Sequence, residues 1–275
     1  MDRLADQCIA IIGCGTIGEA VLAGLLATGQ IAPDQLLVTA RREERAGELR
    51  ERYGVRATTN NAEGARAADI AILSVKPQTA HQVLADPALC EALAGKLLIS
   101  VAAGLRLSQL AKSLPETALI RAMPNTPCVI REGMTVVSPG PKATPDHLAA
   151  ATAVFRSVGR CVTLEEKHLD AVTGLSGSGP AFACVIVESL ADGGVMMGLP
   201  RAVATELAAQ SVLGAAKLVL ESGAHPAALK DNVTTPAGCT IAGLLTMEDG
   251  RIRSTLARTI QESTRVASHL GEEED

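Results

Sequence analysis

The chain has 275 residues, a formal net charge of −5 and 47 % apolar residues, enough for one large domain or two modest ones with full cores. The acidic balance argues against a surface that tracks phosphates, and Tyr53, Phe155 and Phe182 are too few aromatic rings for base stacking, so no nucleic-acid partner is expected. Seven cysteines at 8, 14, 90, 128, 161, 184 and 239 form no C-x-x-C pair; they read as reduced cytoplasmic thiols, with neither a disulfide frame nor a metal site. "MDRLADQCIAIIG" lacks the apolar stretch of a secretory signal. No apolar run approaches the roughly 20 residues of a membrane span, so no membrane partner is expected.

The first half alternates short β-rich runs with helical patterns. Strands are predicted over 8–12, 36–39, 70–74, 97–101, 118–122 and 135–138, with a weaker one over 161–164, and helices over 17–28 and 43–53. Such alternation predicts βαβ units, and hence an α/β fold with a Rossmann-like, doubly wound, mostly parallel sheet. "CIAIIGCGTIGEAVLAGLL" places Gly13, Gly15 and Gly18 directly after the first strand, where a helix begins. That is the context a dinucleotide fingerprint requires: one glycine for the tight turn, one for backbone approach to the pyrophosphate, one for close helix packing. The expected loop comprises Ile12, Gly13, Cys14, Gly15, Thr16, Ile17 and Gly18, with Cys14 as a small filler. The second strand ends "LLVTARREER", with no acid at its tip to hold a ribose 2′-hydroxyl. Arg41 and Arg42 suit a 2′-phosphate instead, which favours NADPH over NADH; the alternative is a solvated pair balanced by Glu43 and Glu44. Polar loops after the later strands, "SVKPQ", "SVAAG" and "AMPNTP", bring Lys76, Ala102, Gly104 and Asn125 to the strand ends where ligands bind.

Beyond about Leu164 the strand signal stops. Residues 178–198, 200–223 and 252–270 read as long helices, with Pro200 at a first helical position and Gly223 as a cap. Leu207, Val212, Leu213, Ala216, Leu218, Val219 and Leu220 make the middle helix apolar on too many faces for a one-sided surface helix. It belongs either in a subunit interface or inside a compact bundle. The final "GEEED" reads as a solvated acidic tail. Two stretches, "DAVTGLSGSGPAF" and "KDNVTTPAGCTIAGLL", put Ser, Thr, Gly and Pro at helix starts, which suit an anion. Neither holds a hydrolase's acid or base.

"GLSGSGPAF", "ADGGVMMGLPR", "LGAAKLVLESGAHPAALKDNVTTPAGCTIAGL" and "MPNTP" resemble pyrroline-5-carboxylate reductase, and the resemblance runs from the glycine loop to Leu270. It implies NAD(P)H-dependent reduction of 1-pyrroline-5-carboxylate to L-proline, with hydride passing from the nicotinamide to the cyclic imine carbon. It also implies a dinucleotide-binding domain over 1–165 and an all-α substrate-binding and dimerisation domain over 166–275. Homodimers, and a ring of dimers, follow as implications. By the same resemblance the substrate carboxylate docks on Thr235, Gly238, Cys239 and Thr240. Thr240 faces the ring nitrogen as the catalytic contact, and Glu166 and Asn232 lie near substrate and cofactor. Asn61, Ser74, Val75, Lys76 and Pro77 match cofactor positions. Thr240 acts in this reading as a positioning donor, because an alcohol is a poor acid at neutral pH; the competing role is that of a helix cap. The chain departs from the family at Thr16–Ile17, and in its substrate loop at Thr235, Ala237 and Cys239. Ala237 replaces a glycine and resists a positive φ. Two rivals fare worse. A 3-hydroxyacid dehydrogenase wants a lysine on the helix 178–198, which has none. An NADP(H)-sensing protein has no use for the two Ser/Thr/Gly helix starts.

Overall fold

The computed structural model describes Leu4 and residues 6–270, so the acidic tail read over 271–275 lies outside the described residues. Eight strands form one sheet in the order β3-β2-β1-β4-β5-β6-β7-β8. They are β1 (Ile9–Ile12), β2 (Leu36–Thr39), β3 (Arg56–Thr58), β4 (Ile70–Leu73), β5 (Leu97–Ser100), β6 (Ala118–Met123), β7 (Gly133–Pro139) and β8 (Gly159–Thr163). All neighbours pair in parallel except β6 with β7. β1, β2, β4 and β5 are buried at every position, as parallel strands covered on both faces must be, and so they read as unbroken apolar runs.

Each face has its own core. On one, Val21, Leu22 and Leu25 of the helix Thr16–Thr28 meet Leu49 of Glu43–Tyr53 and Phe155 of Pro145–Arg156. On the other, Leu84, Leu89, Leu93 and Leu110 come from the short helices Pro77–Leu84, Pro87–Leu93 and Leu107–Ser113. The doubly wound sheet is therefore the expected one. The strand Arg56–Thr58 was not expected; only three residues long and without a buried position, it carries no apolar signature.

The chain divides into two compact units. One holds the described residues to Ser178 and those from Glu262; the other is Gly179–Gln261. The segment 166–178, expected with the helical half, packs with the sheet. In the second unit the helices are Gly179–Met196, Arg201–Ser222, Pro226–Asn232 and Cys239–Asp249, and Ile252–Ser268 runs on into the first. Pro200 stands one residue earlier than expected, at the N-cap, while Gly223 caps the C-terminus at φ 65°. Buried residues of this unit are Ala191, Ala204 and Ala208, while Leu207, Leu213, Leu218 and Leu220 are exposed.

Helical length and composition add to the reading of apolar runs. Residues 166–196 and 201–222 form two helical stretches long and apolar enough, by length and composition, to cross a membrane. Isolated charges such as Glu188 and Glu206 interrupt the apolar sequence of both without making either helix polar.

Candidate active site

β1 lies inside the sheet, between β2 and β4, where the strand order reverses. The loop leaving its carboxyl end therefore opens at the switch point where such sheets bind ligands. Gly13 takes φ +78°, and a Cβ there would lie 2.3 Å from Val75 Cγ1; a side chain is barred by conformation and by space. A Cβ on Gly18 would meet Ile11 Cγ2 at 2.9 Å, so this glycine permits close helix–strand packing. Around Gly15 nothing lies within 4 Å of a built Cβ, and Gly15 caps the helix Thr16–Thr28 without any side-chain bond. The first backbone N–H groups of Thr16, Ile17 and Gly18 are thus offered to an anion. A cradle that excludes side chains, beside open space at an uncapped helix start, fits a dinucleotide pyrophosphate.

The loop is braced from β2. Thr39, buried at the strand tip, accepts the Gly13 N–H at 3.0 Å, donates to Asn61 Oδ1 at 2.6 Å, and its carbonyl accepts the Cys14 N–H at 2.7 Å. In the sequence Thr39 marks only the absence of an acid; its bracing part depends on contacts 22 to 26 residues apart. Burial first, then Glu19, pushes the Cys14 thiol up to about 12, against the pull of Arg45. Such a thiol stays protonated at neutral pH, consistent with a filler. Arg41 and Arg42 are exposed and make no ion pair among the described residues. Glu43 pairs with Arg50 at 3.4 Å, and the exposure of Arg41 and Arg42 fits a 2′-phosphate site and a solvated pair alike.

At the neighbouring strand ends, Ser74 is tied to the glycine loop by its N–H to Ile12 O at 2.8 Å, and Lys76 is the exposed N-cap of Pro77–Leu84. The remaining expected residues are more committed. A Cβ on Gly104 would lie 2.1 Å from Leu270 O, which explains that glycine by packing. Ala102 is buried and its N–H reaches Ser100 Oγ at 3.4 Å. Asn125 spends its side chain within the fold: Nδ2 donates to Ser176 O and Oγ at 3.2 and 3.3 Å, and Oδ1 accepts from Met134 N–H at 2.8 Å. Glu166 Oε1 accepts from Leu107 N–H at 2.7 Å and from Arg121 Nη1 at 3.2 Å, with Asp170 3.7 Å from the same guanidinium. Arg121 is buried, and these two carboxylates compensate its charge.

In the second unit, Gly238 N–H donates to Thr235 O at 3.1 Å across Pro236 and Ala237. Proline at the second position and a positive φ at the third are the marks of a type II turn, and Ala237 takes φ 55°. The strain foreseen for this alanine is present. A Cβ on Gly238 would lie 2.3 Å from Thr235 Oγ1, so the hydroxyl lies over the helix start. Gly238 itself caps Cys239–Asp249, without a side-chain bond. Thr240 is therefore not the N-cap, and the capping alternative is removed: it is the second helical residue, half-buried, with no hydroxyl partner among the described residues. Cys239 is exposed, as is Asn232 at the end of Pro226–Asn232.

Comparison with known proteins agrees with both halves of this description. A family model described as pyrroline-5-carboxylate reductase dimerisation matches residues 166–270. A second, described as NADP oxidoreductase coenzyme F420-dependent, matches 8–104. A pyrroline-5-carboxylate reductase of Schizosaccharomyces pombe is 43 % identical, over 95 % of this chain and 98 % of its own length. The structure of the Coxiella burnetii pyrroline-5-carboxylate reductase superposes with a TM-score of 0.91 at 31 % identity, covering 97 % of this chain and 99 % of that one. The Plasmodium falciparum pyrroline carboxylate reductase, solved with NADP bound, gives 0.86 at 28 % identity, covering 98 % and 99 %. A sheet with an uncapped glycine loop, a helical half that leaves its leucines uncovered, and these near full-length likenesses place the chain in the pyrroline-5-carboxylate reductase family.

Proposed function

We propose that the carboxyl edge of the sheet holds NADPH and that the turn Thr235–Thr240 holds the substrate carboxylate. The chain is an oxidoreductase that reduces 1-pyrroline-5-carboxylate to L-proline, the last step of proline biosynthesis. The observation that carries the residue assignment is the glycine-capped start of Cys239–Asp249, free of any side-chain cap bond and with the Thr235 hydroxyl beside it. A helix start carries about +0.5 of an elementary charge and free N–H donors, so a carboxylate docked there fixes one end of a small ring. Thr235 and Thr240 supply hydroxyls beside it. Thr240, without an internal partner, meets the ring nitrogen and orients the ring: its hydroxyl donates to a neutral imine, which then takes its proton from water, or accepts from the N–H of substrate already protonated. Holding the ring in one pose contributes several kcal/mol, on the order of 7–11 at best.

NADPH, when bound, supplies the hydride. The N–H groups after Gly15 receive its pyrophosphate, Arg41 and Arg42 its 2′-phosphate, and Asn61, Ser74, Val75, Lys76 and Pro77 line its path along the strand ends. Ala102, Gly104 and Asn125 shape the nicotinamide end through backbone rather than through free side chains. Glu166 acts by position, since its carboxylate is engaged by Arg121 and Leu107. Residues 1–165 thus serve the cofactor, and 166–275 the substrate and the dimer. The exposed leucines of Arg201–Ser222 fit a partner subunit better than a lipid phase, which makes the chain a cytoplasmic homodimer, assembled further into a ring of dimers. Purified chain with NADPH and 1-pyrroline-5-carboxylate is expected to consume NADPH absorbance and yield L-proline stoichiometrically; absence of both overturns the assignment.

A further inference from the structure

Glu19, in the first turn of Thr16–Thr28, is the centre of a clasp. Its Oε2 pairs with Arg45 Nη2, and its Oε1 accepts from Arg52 Nη1 and Tyr53 Oη, each at 2.9 Å. Arg45 also reaches Glu48 Oε2 at 3.0 Å through Nη1. The clasp joins the helix that opens at the glycine loop to the helix Glu43–Tyr53, whose N-cap is Arg42. Arg45 stands three residues beyond Arg42, in the first turn of that helix. Its guanidinium is held between the two helix starts that flank a bound adenosine ribose, after the first strand and after the second. It is near enough to the glycine loop for the Cys14 thiol to feel both Arg45 and Glu19. Two of its five N–H donors are used, which leaves three in a fixed fork, and the side chain keeps 29 % of its exposure.

We infer that Arg45 is a third guanidinium of the 2′-phosphate site, oriented there by Glu19, and so a further determinant of coenzyme choice. The inference rests on the reading of Arg41 and Arg42 as the 2′-phosphate pair. A dianion suits several forked donors better than two, and the Glu19 carboxylate holds Arg45 in place before the cofactor arrives, reducing the ordering cost of binding.

The test is the dissociation constants of NADPH and NADH, titrated on the full-length protein. For Arg45→Gln the NADPH constant is expected to rise about fivefold or more, while that of NADH stays within about twofold. Arg45→Lys keeps the charge beside Glu19 but loses the fork; it is expected to shift the same ratio part of the way, and it serves where Arg45→Gln does not fold. Equal weakening of both cofactors, or an unchanged ratio in the folded variants, overturns the inference and leaves Arg45 as a structural clasp. Arg41→Ser with Arg42→Ser separates the two layers. If that variant leaves the ratio unchanged, the underlying 2′-phosphate reading has failed; if it shifts the ratio and the Arg45 variants do not, only the role of Arg45 has failed.

Discussion

The two units use the same aliphatic residues in opposite ways. The first folds leucines and isoleucines into two cores, one on each face of its sheet. The second buries alanines, Ala191, Ala204 and Ala208, and leaves Leu218 58 % and Met196 87 % exposed. A helix pair that packs through alanines comes close together but gains little from burial, at about 25 cal/mol per Å² of apolar area. The larger side chains are left for another surface, and the match of 166–270 to a dimerisation domain says which: a second subunit. One unit closes its core within the chain; the other, which lies within the match to a dimerisation domain, does not.

The largest expected effect breaks this contrast where it is sharpest. Leu207→Glu with Leu218→Glu, about three turns apart on one face, removes two leucines worth about 1.5–3 kcal/mol each when buried and replaces them with charge. Sedimentation at micromolar concentration is expected to show loss of the dimer, with turnover falling more than about tenfold; an intact, active dimer counts against the contrast. In the sheet unit, Arg41→Ser with Arg42→Ser is expected to raise the KM for NADPH about tenfold, near 1.4 kcal/mol, and to leave NADH kinetics nearly unchanged. An unaltered coenzyme ratio refutes the 2′-phosphate site.

Glu166 sits where the two readings of one residue diverge. With its carboxylate engaged by buried Arg121 and by Leu107 N–H, Glu166→Gln is expected to cost about 1–3 kcal/mol of stability and to leave kcat/KM for the imine largely intact. A tenfold kinetic loss without a change in Tm makes it a substrate contact instead. Ala237→Gly relieves a left-handed residue, worth roughly 1–2 kcal/mol, against an unfolded-state entropy cost of roughly 0.4–1; thermal unfolding is expected to rise slightly, and a marked fall contradicts the strain.

The smallest effect concerns the clasp. Burial opposes ionisation of Glu19, but the Tyr53 hydroxyl, Arg45 and Arg52 outweigh it and hold the carboxyl below its ordinary 4.5. Its folded value is the depressed one, so the clasp's contribution is present above pH 4.5 and is lost as pH falls through the folded value. Denaturant midpoints of wild type and Glu19→Gln are expected to differ at neutral pH and to converge in acid; a constant difference excludes the linkage.

Local signals were legible and distant ones were not. The β1 loop announced itself because glycines at fixed spacing follow a strand, and Ala237 stood out because it replaces a glycine of the resembling family and resists a positive φ. The commitment of Asn125 to Ser176, 51 residues away, and of Glu166 to Leu107, 59 away, left no trace in local pattern. Both are polar residues in polar loops, and only the fold decides whether their side chains face ligand or backbone. Arg45 was hidden differently: within a charged helix, "EERAGELRERY", any of three arginines looks solvated until Glu19 is placed beside it.

The division of labour itself is tested most directly at Thr240, in the unit that carries the substrate turn. Steady-state kinetics and NADPH titration of Thr240→Ala and Thr240→Ser give the measurement. Thr240→Ala is expected to lose at least about tenfold in kcat/KM for 1-pyrroline-5-carboxylate, or about 1.4 kcal/mol, with NADPH affinity and Tm nearly unchanged, while Thr240→Ser stays close to wild type. Near-normal turnover in Thr240→Ala, or a parallel loss of NADPH binding, contradicts it.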